Sequence, residues 1–173
     1  DGYQKKDNNE MICWRQIRDL GREGGNAMEL AYAEQNECAQ KENTLNYLIF
    51  VEHSGDFILE LYRFLTLRPG GAIKVSVWLD EDEPIVLTTE TTDEWKGSWK
   101  RAVMNDGEIL TSTLKNVHSG LHTLHVASSD LYFTFSKIVI YTKEKVESNM
   151  GPLVSPFFDG SSWKQEEKKR LSE

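Results

Sequence analysis

Through the middle of the chain, hydrophobic and polar positions alternate with a period of two. That is the pattern of an extended strand with one side on a core and the other in water. The clearest stretch is 73–79 (IKVSVWL), where Ile73, Val75, Val77 and Leu79 share one face and Lys74, Ser76 and Trp78 the other. The same reading predicts strands over 45–52, 57–64, 85–89, 109–114 and 121–127, and a closing pair over 132–135 and 138–141. Ser54-Gly55-Asp56, Pro69-Gly70-Gly71 and the acidic run 80–84 supply the turns between them. Two stretches do not alternate. In 93–106 (DEWKGSWKRAVMND), Trp95, Trp99, Ala102 and Val103 recur at roughly helical spacing, which predicts a loop with a short helical turn. The segment 160–173 (GSSWKQEEKKRLSE) is highly charged, has only Trp163 to anchor it, and reads as a solvated helix or a disordered tail. Many short strands with turns and no intervening helices predict an all-β fold, an antiparallel β-sandwich of the jelly-roll kind.

Composition narrows the partners. The 173 residues are 39% hydrophobic and 28% charged, enough to pack one core. A formal net charge of -8 argues against nucleic acid and against anionic membranes, which both call for clustered Lys and Arg. No apolar run approaches the ~20 residues of a membrane helix, and the opening DGYQKKDNNE has no apolar stretch of a secretion signal. Cys13 and Cys38 are too few for a disulfide framework and have neither CxxC spacing nor a nearby His for zinc. Two free thiols are the expectation and one disulfide the alternative.

A search for catalytic chemistry finds little. His122 and His125 lie an odd number of residues apart on a strand and so point to opposite faces, while His118 sits in a turn; no metal site is expected there. The acidic run Asp80, Glu81, Asp82, Glu83 offers oxygens to calcium, yet without a glycine-bearing loop it reads as a solvated hairpin tip. Asp93 and Glu94 are adjacent and cannot flank a glycosidic bond at the ~5–9 Å that hydrolysis requires. There is no GxSxG elbow, and Gly21, Gly24 and Gly25 lack the context of a phosphate loop. What remains is aromatic. Trp14, Trp78, Trp95, Trp99 and Tyr132 are flanked by polar residues, which suits rings that stack on sugars. In the alternative, Trp14 and Trp99 plug the ends of the sandwich and Trp95 is the exposed ring.

Several segments taken in order carry a resemblance. They are Trp14-Arg15-Gln16-Ile17-Arg18-Asp19-Leu20-Gly21-Arg22, the Leu59-Glu60-Leu61-Tyr62 strand with Thr66-Leu67, and the strand with its acidic, Pro-containing turn over 75–84. Further along come Trp99-Lys100-Arg101-Ala102-Val103-Met104-Asn105, then Gly120-Leu121-His122-Thr123-Leu124-His125-Val126 with Asp130 and Lys137-Ile138-Val139-Ile140, and last Gly151-Pro152. Over residues 3 to 153 this set resembles the C-terminal domain of glycoside hydrolase family 115, a family of xylan α-1,2-glucuronidases. The resemblance implies an accessory β-sandwich over 1–153, similar to carbohydrate-binding modules of families 6 and 35, and a polar tail over 154–173. It implies a first strand with acidic residues ahead of Asp1, and catalytic residues that lie in other domains of a longer enzyme. Ser136 stands where related modules often place a calcium-binding Asp, so structural calcium is not supported and no cofactor is expected.

Two roles follow from the resemblance. A structural accessory domain, packing on the catalytic domain or forming a homodimer, predicts an exposed apolar patch. A module for glucuronoxylan or a related hemicellulose predicts exposed rings, with Trp95, Trp99 and Tyr132 as candidates and Lys96, Arg101 and Asn105 as nearby donors; a cation would favour a uronate. A xylan-type polysaccharide as substrate would place the parent enzyme outside the cell or on its surface.

Overall fold

The alternating stretches between 45 and 127 become strands in the computed structural model, which describes residues 10–21, 25–40, 43–67, 71–89, 91–95, 97–142 and 155. The tail over 160–173 with Trp163, and both ends of the 1–153 domain, lie outside the described residues. In chain order the elements are β1 (Glu10–Ile17), β2 (Ala27–Glu34), β3 (Cys38–Gln40), β4 (Thr44–Val51), β5 (Gly55–Arg63), β6 (Ile73–Leu79) and β7 (Ile85–Thr89). After them come α1 (Gly97–Met104), β8 (Glu108–Val117), β9 (Gly120–Ser128) and β10 (Thr134–Tyr141). Antiparallel pairing builds a six-stranded sheet in the order β3-β1-β2-β10-β5-β8 and a four-stranded sheet in the order β4-β9-β6-β7. No helix among the described residues is long and apolar enough to cross a membrane.

The inward faces of the two sheets share one core. Ile73, Val75, Val77 and Leu79 of β6 are at most 3% exposed, as their alternation requires, and meet Leu59 and Leu61 of β5 and Leu110 of β8 in the same cluster. Trp14 belongs to this core. It is fully buried, with its ring edge-on to Phe133 (6.5 Å) and Phe135 (5.8 Å), a preferred geometry for aromatic pairs. It therefore fills the interior and offers no face to a sugar.

The six-stranded sheet is buried on its outer side as well near its centre. Ala27, Ala31 and Ala33 of β2 are at most 3% exposed although Leu30 between them faces the core, and Tyr62 of β5 is 2% exposed. On that side the Glu60 carboxylate accepts hydrogen bonds from the hydroxyls of Tyr62 (2.9 Å) and Tyr141 (2.8 Å), so its burial leaves no bare charge.

Two expectations are corrected. Cys13 and Cys38 are not free thiols; they form a disulfide with Cα atoms 5.7 Å apart. The cause is the short edge strand β3, which pairs with β1 so that Cys38 lies opposite Arg15 and beside Cys13. The expected closing pair of strands over 132–135 and 138–141 is one strand, β10, with a register shift between Phe135 and Lys137 that puts Ser136 in a bulge. The helical turn anticipated over 93–106 is α1, with Ala102 as its buried residue.

Candidate functional site

The connections after β1, β5 and β9 and the helix between β7 and β8 meet at one end of the sandwich, around an open groove of about 560 Å³. Its apolar lining comes mainly from Ile17, Leu20, Leu65, Leu67, Trp99 and Tyr132, with Glu29, Thr66 and Thr134 as polar points.

Tyr132 is held there at some cost. Its φ of 63° lies in the left-handed region, which for a bulky side chain costs on the order of 1–3 kcal/mol and persists only when the surroundings impose it. Here they do. The Tyr132 amide donates to the Leu30 carbonyl (2.6 Å), and the Tyr132 carbonyl accepts from the hydroxyls of Thr66 (2.8 Å) and Thr134 (3.3 Å). On either side, Leu30 N donates to Phe133 O and Phe64 N to Thr134 O. The result is a ring that remains 50% exposed on a backbone fixed by both flanking strands.

Trp99 arrives by a different route. The segment ahead of α1 is tied down by Arg63, which donates to the Thr91 carbonyl (2.7 Å), and by Thr92, whose hydroxyl donates to the Gly71 carbonyl (2.7 Å). At the far end, Gly107 closes the helix by donating its amide to the Ala102 carbonyl (2.8 Å) at a φ of 127°. A Cβ at that position would lie 2.3 Å from the Arg63 carbonyl oxygen, so only glycine fits. Trp99 is thus half-buried against the groove.

The other candidates fall elsewhere. Trp95 is 88% exposed on a turn in which its amide donates to Asp93 Oδ1 (3.0 Å), and it does not line the groove. Arg101 and Asn105 are exposed and also lie outside the groove's lining, and Lys96 lies outside the described residues. The structure therefore brings Trp99 and Tyr132 together and leaves Trp95, Arg101 and Asn105 outside the groove. Sequence reasoning passed over Ile17, Leu20, Glu29 and Thr66, whose roles depend on which connections meet. The lining charge is a carboxylate, Glu29, and it is already engaged by Arg15 Nη2 (2.6 Å) and by the Thr134 hydroxyl (3.3 Å). A second groove adjoins across Ile17, where Arg15 and Arg18 supply cations.

A polar cluster ties the β6–β7 tip to β9. Asp80, at a φ of 48°, accepts from the Thr123 amide (2.8 Å) and meets His122 Nδ1 at 2.6 Å, while His122 Nε2 lies 2.8 Å from the His118 carbonyl. Both ring nitrogens face acceptors, so only the imidazolium can donate to both. The Asp80 carboxylate raises the His122 pKa, and the Thr123 amide followed by His122 lowers that of Asp80. A raised His pKa gives stability that is complete below ~6.5 and lost as pH rises through the folded value. A depressed Asp pKa gives stability that is complete above ~3.9 and lost as pH falls through the folded value. The cluster's contribution is therefore greatest between about pH 4 and 6.5. Asp80 is 48% exposed, so the effect is about 0.5–1 kcal/mol. In urea titrations across pH, Asp80→Asn is expected to flatten that window; an unchanged profile would refute the clamp. Among the described residues, no three His, Cys, Asp or Glu side chains gather to hold a metal ion.

The family model described as the glycosyl hydrolase family 115 C-terminal domain matches residues 1–153. Among solved structures, the chain is similar to a family 115 4-O-methyl-α-glucuronidase, BtGH115A, that has specificity for decorated arabinogalactans: 17% identity, TM-score 0.59, 82% of this chain and 18% of that one. A family 35 carbohydrate-binding module from Clostridium thermocellum aligns at 13% identity and TM-score 0.49, over 81% of this chain and 97% of that one. An exo-β-1,3-galactanase from Phanerochaete chrysosporium aligns at 17% identity and TM-score 0.47, over 80% of this chain and 28% of that one. The chain thus spans under a fifth of the family 115 structure it matches. No curated protein matches the sequence.

Proposed function

Since the chain belongs to the C-terminal domain family of glycoside hydrolase family 115, we propose that it is a non-catalytic accessory domain of a xylan α-glucuronidase-like enzyme and holds polysaccharide at the groove of Trp99 and Tyr132. The observation that carries this reading is Tyr132, an exposed ring kept in a strained backbone conformation by three hydrogen bonds. Strain of this sort gathers at ligand sites, and a pyranose offers an apolar face to such a ring. The engaged carboxylate at Glu29 suits a neutral backbone sugar in the groove itself, and a uronate branch would turn toward Arg18 in the adjoining one.

Affinity electrophoresis on unsubstituted xylan, glucuronoxylan and decorated arabinogalactan tests the proposal. Retention is expected on at least one of them. Tyr132→Asn removes the ring while tolerating the left-handed backbone, and it should weaken retention about fivefold to tenfold with the fold intact, the ~1–1.4 kcal/mol of one aromatic contact. No retention on any of the three polymers would sink the reading. A second role, packing within the enzyme, is favoured by the outer face of the four-stranded sheet.

A further inference from the structure

On an antiparallel sheet with one wet face, the outward positions are ordinarily polar. The outer side of the six-stranded sheet carries Arg15, Glu29, Glu60 and Lys137 beside the buried Ala27, Ala31, Ala33 and Tyr62. The outer face of the four-stranded sheet is wet and yet does not follow the rule. Leu48 of β4 is 58% exposed, Leu121 of β9 50% and Val86 of β7 56%. Leu48 pairs with Thr123, and the neighbouring pair sets Leu121 beside Phe50, itself 39% exposed. Toward β6, the Trp78 ring stacks on His125 at 4.9 Å, and His125 Nδ1 lies 2.6 Å from Asn46 Oδ1. The chain carries 20 basic and 28 acidic residues, yet Lys74 is the one formally charged side chain that the four strands present on this side.

Loss of charge with exposed aliphatic groups is the composition of an interface centre. Size and charge decide what sits on it. Four strands ~4.8 Å apart, averaging about seven residues at ~3.4 Å each, give a face of roughly 450 Å². That falls short of the ~800 Å² per partner of a stable free-standing complex. Counted on both sides it lies within the ~600–1,500 Å² of contacts between domains of one polypeptide, where the tether supplies millimolar effective concentration. A net charge of -8 also sets two free copies against each other.

We infer that this face seats the domain on a neighbouring domain of the same glycoside hydrolase polypeptide, against an apolar and uncharged surface, and not on a second copy. The inference rests on family membership and not on sugar binding.

Leu48→Cys and Leu121→Cys test it, because both native cysteines are locked in the disulfide. Maleimide labelling is compared between this chain and the complete enzyme polypeptide, with the exposed Thr111→Cys on β8 as control. Labelling at 48 and 121 is expected to slow at least about tenfold in the complete enzyme and to stay unchanged at 111. Equal rates at all three positions in both proteins would overturn the proposal. So would a dimer of this chain in sedimentation equilibrium whose formation protects 48 and 121. Neither readout involves polysaccharide, so the groove and the seat fail independently.

Discussion

Replacing Arg63 by Met is expected to destabilise the domain by about 3 kcal/mol, near the lower end for breaking a buried ion pair. Arg63 is 1% exposed at the end of β5, and its guanidinium has three acceptors around it. Nε donates to Glu108 Oε2 (2.9 Å), Nη2 to the Thr91 carbonyl (2.7 Å) and Nη1 to the Phe64 carbonyl (3.2 Å). Glu108 in turn accepts from the hydroxyls of Thr89 and Thr91. Burial lowers the Arg63 pKa and Glu108 opposes the shift. Methionine fills much of the volume but satisfies none of these groups. Glu108 keeps 24% of its side chain exposed, so water reaches it, which holds the cost at the lower end. Thermal unfolding should then drop by about 6–12 °C, at the ~2–4 °C per kcal/mol of a domain this size. Adding Glu108→Gln should recover part of the loss, because the stranded charge is gone. A midpoint within about 1 °C of the parent, or no coupling between the two sites, would refute the network. The same residue anchors the segment that leads to Trp99, so the variant should also weaken sugar retention at temperatures where it is still folded.

How much of this fold could be read in the sequence depends on which faces of each strand are wet. β6 and β7 were legible to the residue, because Ile73, Val75, Val77 and Leu79 face the core while Lys74 and Thr88 face water. β4, β5, β8 and β9 were legible to within three residues at either end for the same reason. β2 was not. Its AMELAYAE has Leu30 on the core and Ala27, Ala31 and Ala33 buried on the other side, so no alternation is left to detect. β1 hides Trp14 among polar neighbours, and β3 has only three residues. In β10, Ser136 looked like a break because the bulge shifts the period by one.

The groove was legible only in part. Trp99 and Tyr132 could be nominated as rings in polar company, and the structure places both in its wall. The nomination could not separate them from Trp95, which has equally polar neighbours but sits on an exposed turn outside that wall. The separating signals are nonlocal. They are the carbonyls and hydroxyls of Leu30, Thr66 and Thr134 that hold Tyr132 at positive φ, and the Arg63 contacts that set the approach to α1. Glu29 carried no signal in the sequence, because only the register of β1, β2 and β10 puts it between Arg15 and Thr134.

Opening the Cys13–Cys38 disulfide is expected to cost about 3.5 kcal/mol in the chain-entropy picture for a sequence separation of 25. The stabilisation acts mainly on the unfolded chain, which loses freedom when its two ends are tied. The native state adds a local term, since β3 is a three-residue strand that, among the described residues, pairs only with β1. Without the crosslink its few ladder bonds have little to hold them. Cys13→Ala/Cys38→Ala should therefore unfold about 7–14 °C lower, and amide exchange should quicken first over 38–40. Cys13 is fully buried but Cys38 is half-exposed on the edge strand, so reductant should attack at the Cys38 sulfur and reach the same midpoint as the double variant once reduction is complete. The double variant itself should not respond to reductant. A parent protein whose midpoint ignores complete reduction would mean that β3 and the core carry no strain-free benefit from the link, and the edge of the six-stranded sheet would have to be held by side-chain packing instead.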